Sequence, residues 1–267
     1  MIEDNRPHKP PLNPEALRDA MSLSIWAGQM LLQHGADSAR VEETVHRIGT
    51  GLGADWMDVL VTADSIVATT VNNHEFRTKV RRAPTRSVDM ALIDRVSALS
   101  YQVAGGKLDR FALRQRLREM DYLQPEYNRW WIVGAVGLAC AAISRFFGGD
   151  LAAFIITFAS SAAAMFVRQE LAHRHLNFIL VTTATAFVAS GLAALGTMLQ
   201  ISATPSAAIS ASVLLLVPGV PLINGVKDLI NGYPMNGLAR GVNALVIVLC
   251  IAVGLSFALW LTGALLP

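Results

Sequence analysis

Charge is what this sequence lacks, and it lacks it in one half only. Asp, Glu, Lys and Arg make up 16% of the 267 residues, against about 25% in an average soluble domain. Residues 127–267 hold nine of them: Arg129, Arg145, Asp150, Arg168, Glu170, Arg174, Lys227, Asp228 and Arg240. None lies from Asn177 to Val226, and none from Gly241 to Pro267. The first 126 residues carry 16 of the 22 Lys/Arg and 17 of the 20 Asp/Glu. That split excludes a single soluble globular domain. A hydrophobic share of 53% excludes disorder. A net charge of +2 is too small for a nucleic-acid binder. Cysteine is equally scarce. Cys140 and Cys250 sit in apolar runs with no CxxC or Cys/His spacing, so no zinc site or disulfide framework is readable. P-loop, GxGxxG and GxSxG motifs are missing too, which argues against ATP coupling within the chain. The opening MIEDNRPHKPPLNP has neither the basic nor the apolar region of a signal peptide. The N-terminal half is therefore expected in the cytosol.

What is present falls into three stretches: a Pro-rich tail over 1–14, an α+β domain over 15–126 and a membrane domain over 127–267. Leu17–Leu32 reads as a helix, with Leu23, Trp26, Ala27, Met30 and Leu31 at helical spacing and Gly35 as its stop. A second helix starts at Asp37 or Ser38, either able to cap it, and carries Val41, Val45, Ile48 and Leu52 on one stripe. The period then changes. Met57–Thr62, Ile66–Val71 and Phe76–Arg81 read as strands, with Asn72-Asn73-His74 as turn chemistry. Arg77, Lys79 and Arg81 share one face of the third, which reads as its wet side or as a face for anionic lipid or the membrane domain. Helices return over Ser87–Val103 and Lys107–Met120, the latter with Lys107, Arg110, Arg114 and Arg118 along one side.

The second half reads as an α-helical polytopic membrane domain of about five transmembrane helices, roughly 130–147, 151–168, 177–199, 206–230 and 238–266. A span needs about 20 apolar residues. Small residues crowd these segments, as in Ala159–Ala164 and Ala207–Ser212, and let helix backbones approach closely in lipid. Basic residues cluster in the loops that a cytosolic N-terminus would leave inside, in accord with the positive-inside rule. Five spans put the C-terminus outside.

The most informative run is Ser212–Asp228. Pro218 and Pro221 each remove a backbone donor around Gly219-Val220, so one helix is broken at Pro-Gly-Val-Pro. Broken membrane helices expose backbone groups that can meet substrate or ions. Asn224 follows within a turn, and Lys227 and Asp228 one turn later. Two readings stand: a structural kink with a basic exit, or a binding site. Arg168 and Arg240 read as topology anchors or as forks for a carboxylate. Ser160 and Ser161 read as packing residues or as hydrogen-bonding partners for substrate. In the N-terminal domain, Glu42, Glu43 and His46 lie within helical reach of one another, behind His34 and Asp37. They read as a solvated face or as an acid–base or metal site. His173-Arg174-His175 reads as a basic loop.

These motifs carry a resemblance. Leu31–Ser38 with Val41-Glu42, Thr157–Ser160 with Met165–Gln169, Ser212–Gly219 with Pro221–Asn224, and Gly237–Arg240 resemble the threonine/serine exporter family. The likeness runs from about Ala16 to Trp260 and is nearest to the inner-membrane subunit of the family's split, two-component form. It implies a subunit of an exporter of small polar carboxylates, succinate in the split type and threonine or serine in the fused type. It also implies a hetero-oligomer with a small YjjB-like membrane subunit that supplies the second membrane half. Localisation would be the inner membrane, with no cofactor, metal or nucleic acid. The residues that match the family's motifs are Pro218, Gly219, Pro221, Asn224, Asp228, Arg240, Arg168 and Ser160. On the residues alone two other readings stay open: a membrane-anchored hydrolase built on Glu42, Glu43 and His46, and a regulatory subunit whose N-terminal domain senses a metabolite.

Overall fold

The computed structural model describes residues 13–72, 75–84, 87–121, 127–174, 176–198 and 202–263. The elements in order are α1 (Pro14–Gln33), α2 (Ser38–Gly51), β1 (Trp56–Val61), β2 (Ser65–Asn72), β3 (Glu75–Arg82), α3 (Met90–Ala104), α4 (Arg110–Asp121), α5 (Arg129–Phe146), α6 (Leu151–His173), α7 (Phe178–Met198), α8 (Pro205–Ser212), a 3-10 turn at Leu214–Leu216, α9 (Gly219–Ile230) and α10 (Pro234–Leu261). They form two compact units. One is Met1–Gln124 with Val220–Gly241; the other is Pro125–Gly219 with Val242–Pro267.

In the first unit α1 is the axis of the core. Asn13 accepts from the Ala16 N–H at 2.7 Å, and Pro14 needs no partner there. Leu17, Leu23, Ile25, Met30 and Leu31 are buried around it. At Gly28 a Cβ would stand 2.4 Å from Val45, so a glycine lets α1 and α2 touch. Gly35 turns the chain at φ +89°, a value that suits glycine. Asp37 then caps α2 by accepting from the Arg40 N–H.

The sheet is antiparallel in the order β1-β2-β3, with Leu60 opposite Val67 and Val67 opposite Val80. The two-residue period buries Met57, Val61, Ile66 and Ala68 and leaves Leu60, Phe76 and Val80 exposed. Arg77, Lys79 and Arg81 do share a face, which is only partly wet: Arg81 is exposed, whereas Arg77 and Lys79 are half-buried. Lys79 pairs with Ala68 and Arg81 with Ile66, so register puts them on the face that looks toward α1. Lys79 Nζ donates to Ser22 Oγ at 2.8 Å. Burial, then the neighbouring Arg81, pulls the Lys79 ammonium below its usual range. Helices α3 and α4 close the core through Ile93, Val96, Val103, Leu113 and Leu117. The turn expected at Asn73-His74 and most of the expected tail, residues 1–12, lie outside the described residues.

The second unit has a core of a different kind. Gly137, Cys140, Ala141 and Ser144 of α5 are buried, with Ala153, Thr157, Ser160, Ser161 and Ala164 of α6 and Ala207, Ala208, Ala211 and Ser212 of α8. Backbones come close where glycine permits. A Cβ on Gly137 would meet the Phe158 carbonyl at 3.1 Å, and one on Gly254 the Thr183 carbonyl at 2.4 Å. Asp150 caps α6 and gathers the following loop. It accepts from the N–H groups of Ala153 and Ala203 and from the Ser202 hydroxyl. Those backbone donors hold its carboxyl below the ordinary carboxylate range.

Among the described residues three helices are long and apolar enough to cross a bilayer: Leu151–His173, Phe178–Gly196 and Pro234–Leu261, with mean hydropathies of 1.7, 2.0 and 2.7. The bent pair Pro205–Leu216 and Gly219–Ile230 makes a fourth if it counts as one span. The segment expected near 130–147 forms α5, which carries Arg129 and Arg145 and stays outside that set. The expected break falls at Val217-Pro218. Pro221 lies instead in the first turn of α9, where a missing N–H leaves no helical bond unmade.

Candidate functional site

Asn224 and Asp228 stand four residues apart on α9. Asn236 and Arg240 stand four apart on α10. That spacing aligns each pair along one helix face. The two backbones are close: a Cβ on Gly225 would sit 3.2 Å from the Gly237 carbonyl, and one on Gly237 2.7 Å from the Gly225 carbonyl. All four polar side chains turn to the loop that joins α1 to α2, within the first unit.

There the Asp228 carboxylate, wholly buried, receives donors from two directions. The Ser38 N–H donates to Oδ1 and the Ser38 hydroxyl to Oδ2, each at 2.9 Å. Arg240 Nε lies 3.0 Å from Oδ2 as an ion pair without hydrogen-bond alignment. Arg240 Nη2 donates to the Ala36 carbonyl at 2.9 Å, which fixes the guanidinium. Asn236 Nδ2 donates to Ser38 Oγ at 2.9 Å and to the Val61 carbonyl at 2.8 Å. Because Asn236 fills an acceptor site of Ser38 Oγ, the serine's proton is left for Asp228. Asn224 Nδ2 donates to the Gly35 carbonyl at 2.6 Å. At the rim, the Tyr233 hydroxyl donates to Glu42 Oε2. Burial, then Glu42, raises the Tyr233 phenol above its usual value. Lys227 reaches toward Asp37 at 3.9 Å.

The structure thus brings Asn224, Asp228 and Arg240 together; Pro221 lies one turn before Asn224 on α9, and Pro218, Gly219, Ser160 and Arg168 belong to the second unit. Pro218 lies in the non-helical link before α9, and Gly219 opens that helix with open space where a Cβ would be and no positive φ. Ser160 is buried in the second unit and donates back to the Thr157 carbonyl of its own helix. Ser161 donates instead to the Ser212 carbonyl at 3.3 Å. Arg168 is half-buried on α6, with no ion-pair partner among the described residues. Ser38, Asn236 and Tyr233 were not among the expected site residues. The signal for Asn236 was its place one turn before Arg240. Ser38 carried none beyond its fitness as a cap.

Glu42, Glu43 and His46 line a cavity of about 460 Å³ with Trp56, Asp58 and Leu60. Their bonds are structural in kind. His46 Nδ1 meets the Met57 carbonyl, Glu43 pairs with Arg47, and Glu42 holds Tyr233. Among the described residues no group of three His, Cys, Asp or Glu side chains could hold a metal ion.

The family described as "Putative threonine/serine exporter" matches residues 22–262. The "Probable succinate transporter subunit YjjP" of Escherichia coli strain K12 is 37% identical over 252 residues, which is 93% of this chain and 97% of that protein. The protein of the same name from Klebsiella aerogenes is 37% identical over 248 residues, 91% of this chain and 95% of its own. A "Probable threonine/serine exporter" of Mycobacterium tuberculosis is 22% identical over 245 residues, 91% of this chain but 46% of that longer protein. No solved structure matches.

Proposed function

Because the chain belongs to the threonine/serine exporter family, we propose that it is one subunit of a two-component exporter of small carboxylate metabolites, a succinate-type dicarboxylate or threonine and serine. The reading takes it as a multi-pass protein of the inner membrane with its N-terminal domain in the cytosol and its C-terminus outside. A small YjjB-like membrane protein supplies the other half. Transport is efflux, either secondary active and coupled to the proton gradient or passive down the substrate's own gradient. The observation that carries the reading is the buried Asp228–Arg240 pair, carried by the largely apolar helices α9 and α10 and held by Ser38, which Asn236 positions. Ionisable groups in membrane-type segments mark substrate or ion pathways. Arg240 offers a carboxylate its guanidinium, and Asp228 offers a proton-carrying group.

The test is efflux from cells that lack their own exporters. This chain, the YjjB-like partner, or both are expressed after loading with labelled succinate, threonine or serine. Efflux that needs both is the expected result, and the preferred label names the substrate. Efflux from this chain alone would overturn the two-component arrangement. Absence of efflux with both proteins in the membrane would overturn the transport reading.

A further inference from the structure

The groups around Asp228 form a cradle for a carboxylate. The Ser38 N–H and hydroxyl donate to the carboxylate, Arg240 faces it as a cation, and Asn236 positions the serine. The Ser38 N–H opens α2, where the helix dipole favours negative charge. The Ser38 hydroxyl is aimed by Asn236, and the Asn236 amide is itself fixed on the Val61 carbonyl. The Arg240 guanidinium is fixed on the Ala36 carbonyl. The donors are thus positioned by bonds that do not involve Asp228. The side chain that fills the cradle is a carboxylate on one methylene, carried by a different helix from any of the donors.

A structural role alone is a weak explanation for such a pair. Buried ion pairs are commonly matched or bettered in stability by well-packed apolar residues of similar volume. What they provide that leucines do not is a place where one carboxylate can exchange for another.

We propose that the cradle of Ser38, Asn236 and Arg240 is a binding site for the carboxylate of the exported molecule, and that Asp228 is its resident surrogate, displaced when that molecule binds. The proposal rests on the reading of the chain as a carboxylate exporter subunit and adds the residues that take the carboxylate. It makes Asp228 a competitor of the substrate. Removing it strengthens carboxylate binding, whereas loss of a residue that merely coordinates substrate weakens it.

The experiment uses the full chain in lipid nanodiscs and needs neither partner nor transport. Wild type, Asp228→Ala and the double variant Asp228→Ala/Arg240→Ala are compared for binding of labelled succinate and for thermal unfolding with and without formate. The expected result is binding by Asp228→Ala roughly tenfold tighter than by wild type, since about 1.4 kcal/mol of competition is removed. Formate should raise the melting temperature of Asp228→Ala and leave that of the double variant unchanged. If Asp228→Ala unfolds on its own, recovery of its transition by formate or succinate supports the cradle. A folded Asp228→Ala that binds succinate no better than wild type overturns the proposal, as does an unfolded one that no carboxylate restores. Failure of the efflux assay with a cradle that still takes formate would condemn the exporter reading and leave the site standing.

Discussion

The two units are built inside out with respect to each other. In the stretch from α1 to α4 large apolar side chains are inside: the largest fully buried ones of the described chain, Leu17, Leu23, Met30, Leu31, Met57, Ile93, Leu113 and Leu117 among them, all lie there. In the second unit alanine, serine, threonine and glycine are inside, while Ile155, Leu180, Leu195, Leu249 and Phe257 are exposed. Water drives the first arrangement, because apolar area removed from it is stabilising. Lipid offers no such drive, and close packing of small residues takes its place. Helix α9 follows the second rule although it belongs to the first unit. Its Asn224 and Asp228 are buried, and Ile223, Val226 and Ile230 are exposed.

Five variants break or sharpen this comparison. The largest effect is expected at Asp228, the one charged residue wholly buried among the described residues. Arg240→Ala leaves Asp228 buried without its partner, a loss of about 4 kcal/mol, read as a lower melting temperature of the purified full chain. Replacing both Asp228 and Arg240 with Leu should return most of that stability and still abolish efflux, which separates folding from transport. Next, Leu31→Ala should cost about 3 kcal/mol, because a cavity opens in a core made of large side chains. In the second unit the opposite change should hurt. Gly254→Val drives a side chain against the Thr183 carbonyl and the Ala186 methyl and should cost about 2 kcal/mol. Destabilisation by Leu31→Ala with tolerance of Gly254→Val would refute the inside-out picture. The smallest effect is at Tyr233. Tyr233→Phe removes one hydrogen bond, about 1 kcal/mol. Its pH dependence has a definite sign. The folded-state pKa is raised above the ordinary 10.0, so the stability Tyr233 adds is whole below that pH and is lost as pH climbs through the folded value. The gap between wild type and Tyr233→Phe should therefore narrow in alkaline melts.

Much of the first unit was legible in the sequence because its periods are clean. The helix stop at Gly35, the cap at Asp37, the three strands and the two following helices fall within a few residues of where spacing and turn chemistry put them. The face of Arg77, Lys79 and Arg81 was not, since parity in a strand is fixed by register against its neighbour. The site was half legible. Asn224, Asp228 and Arg240 stood out as polar residues in apolar segments. Their packing against the α1–α2 loop did not, because hydropathy sums composition and ignores direction. The same sum that marks 206–230 as apolar hides the fact that α9 turns its polar face inward.

The Ser38–Asp228 contact also has a consequence for biosynthesis. The two residues are 190 positions apart. Ser38 leaves the ribosome with the earliest helices, yet the carboxylate that satisfies its N–H and hydroxyl is not made until α5 to α8 have been synthesised. The first unit therefore closes late. The side-chain donors to the Gly35, Ala36 and Val61 carbonyls, Asn224, Arg240 and Asn236, are likewise made only with α9 and the start of α10. Completion of the first unit is thereby tied to synthesis of the apolar segments that lie between its two parts in the chain.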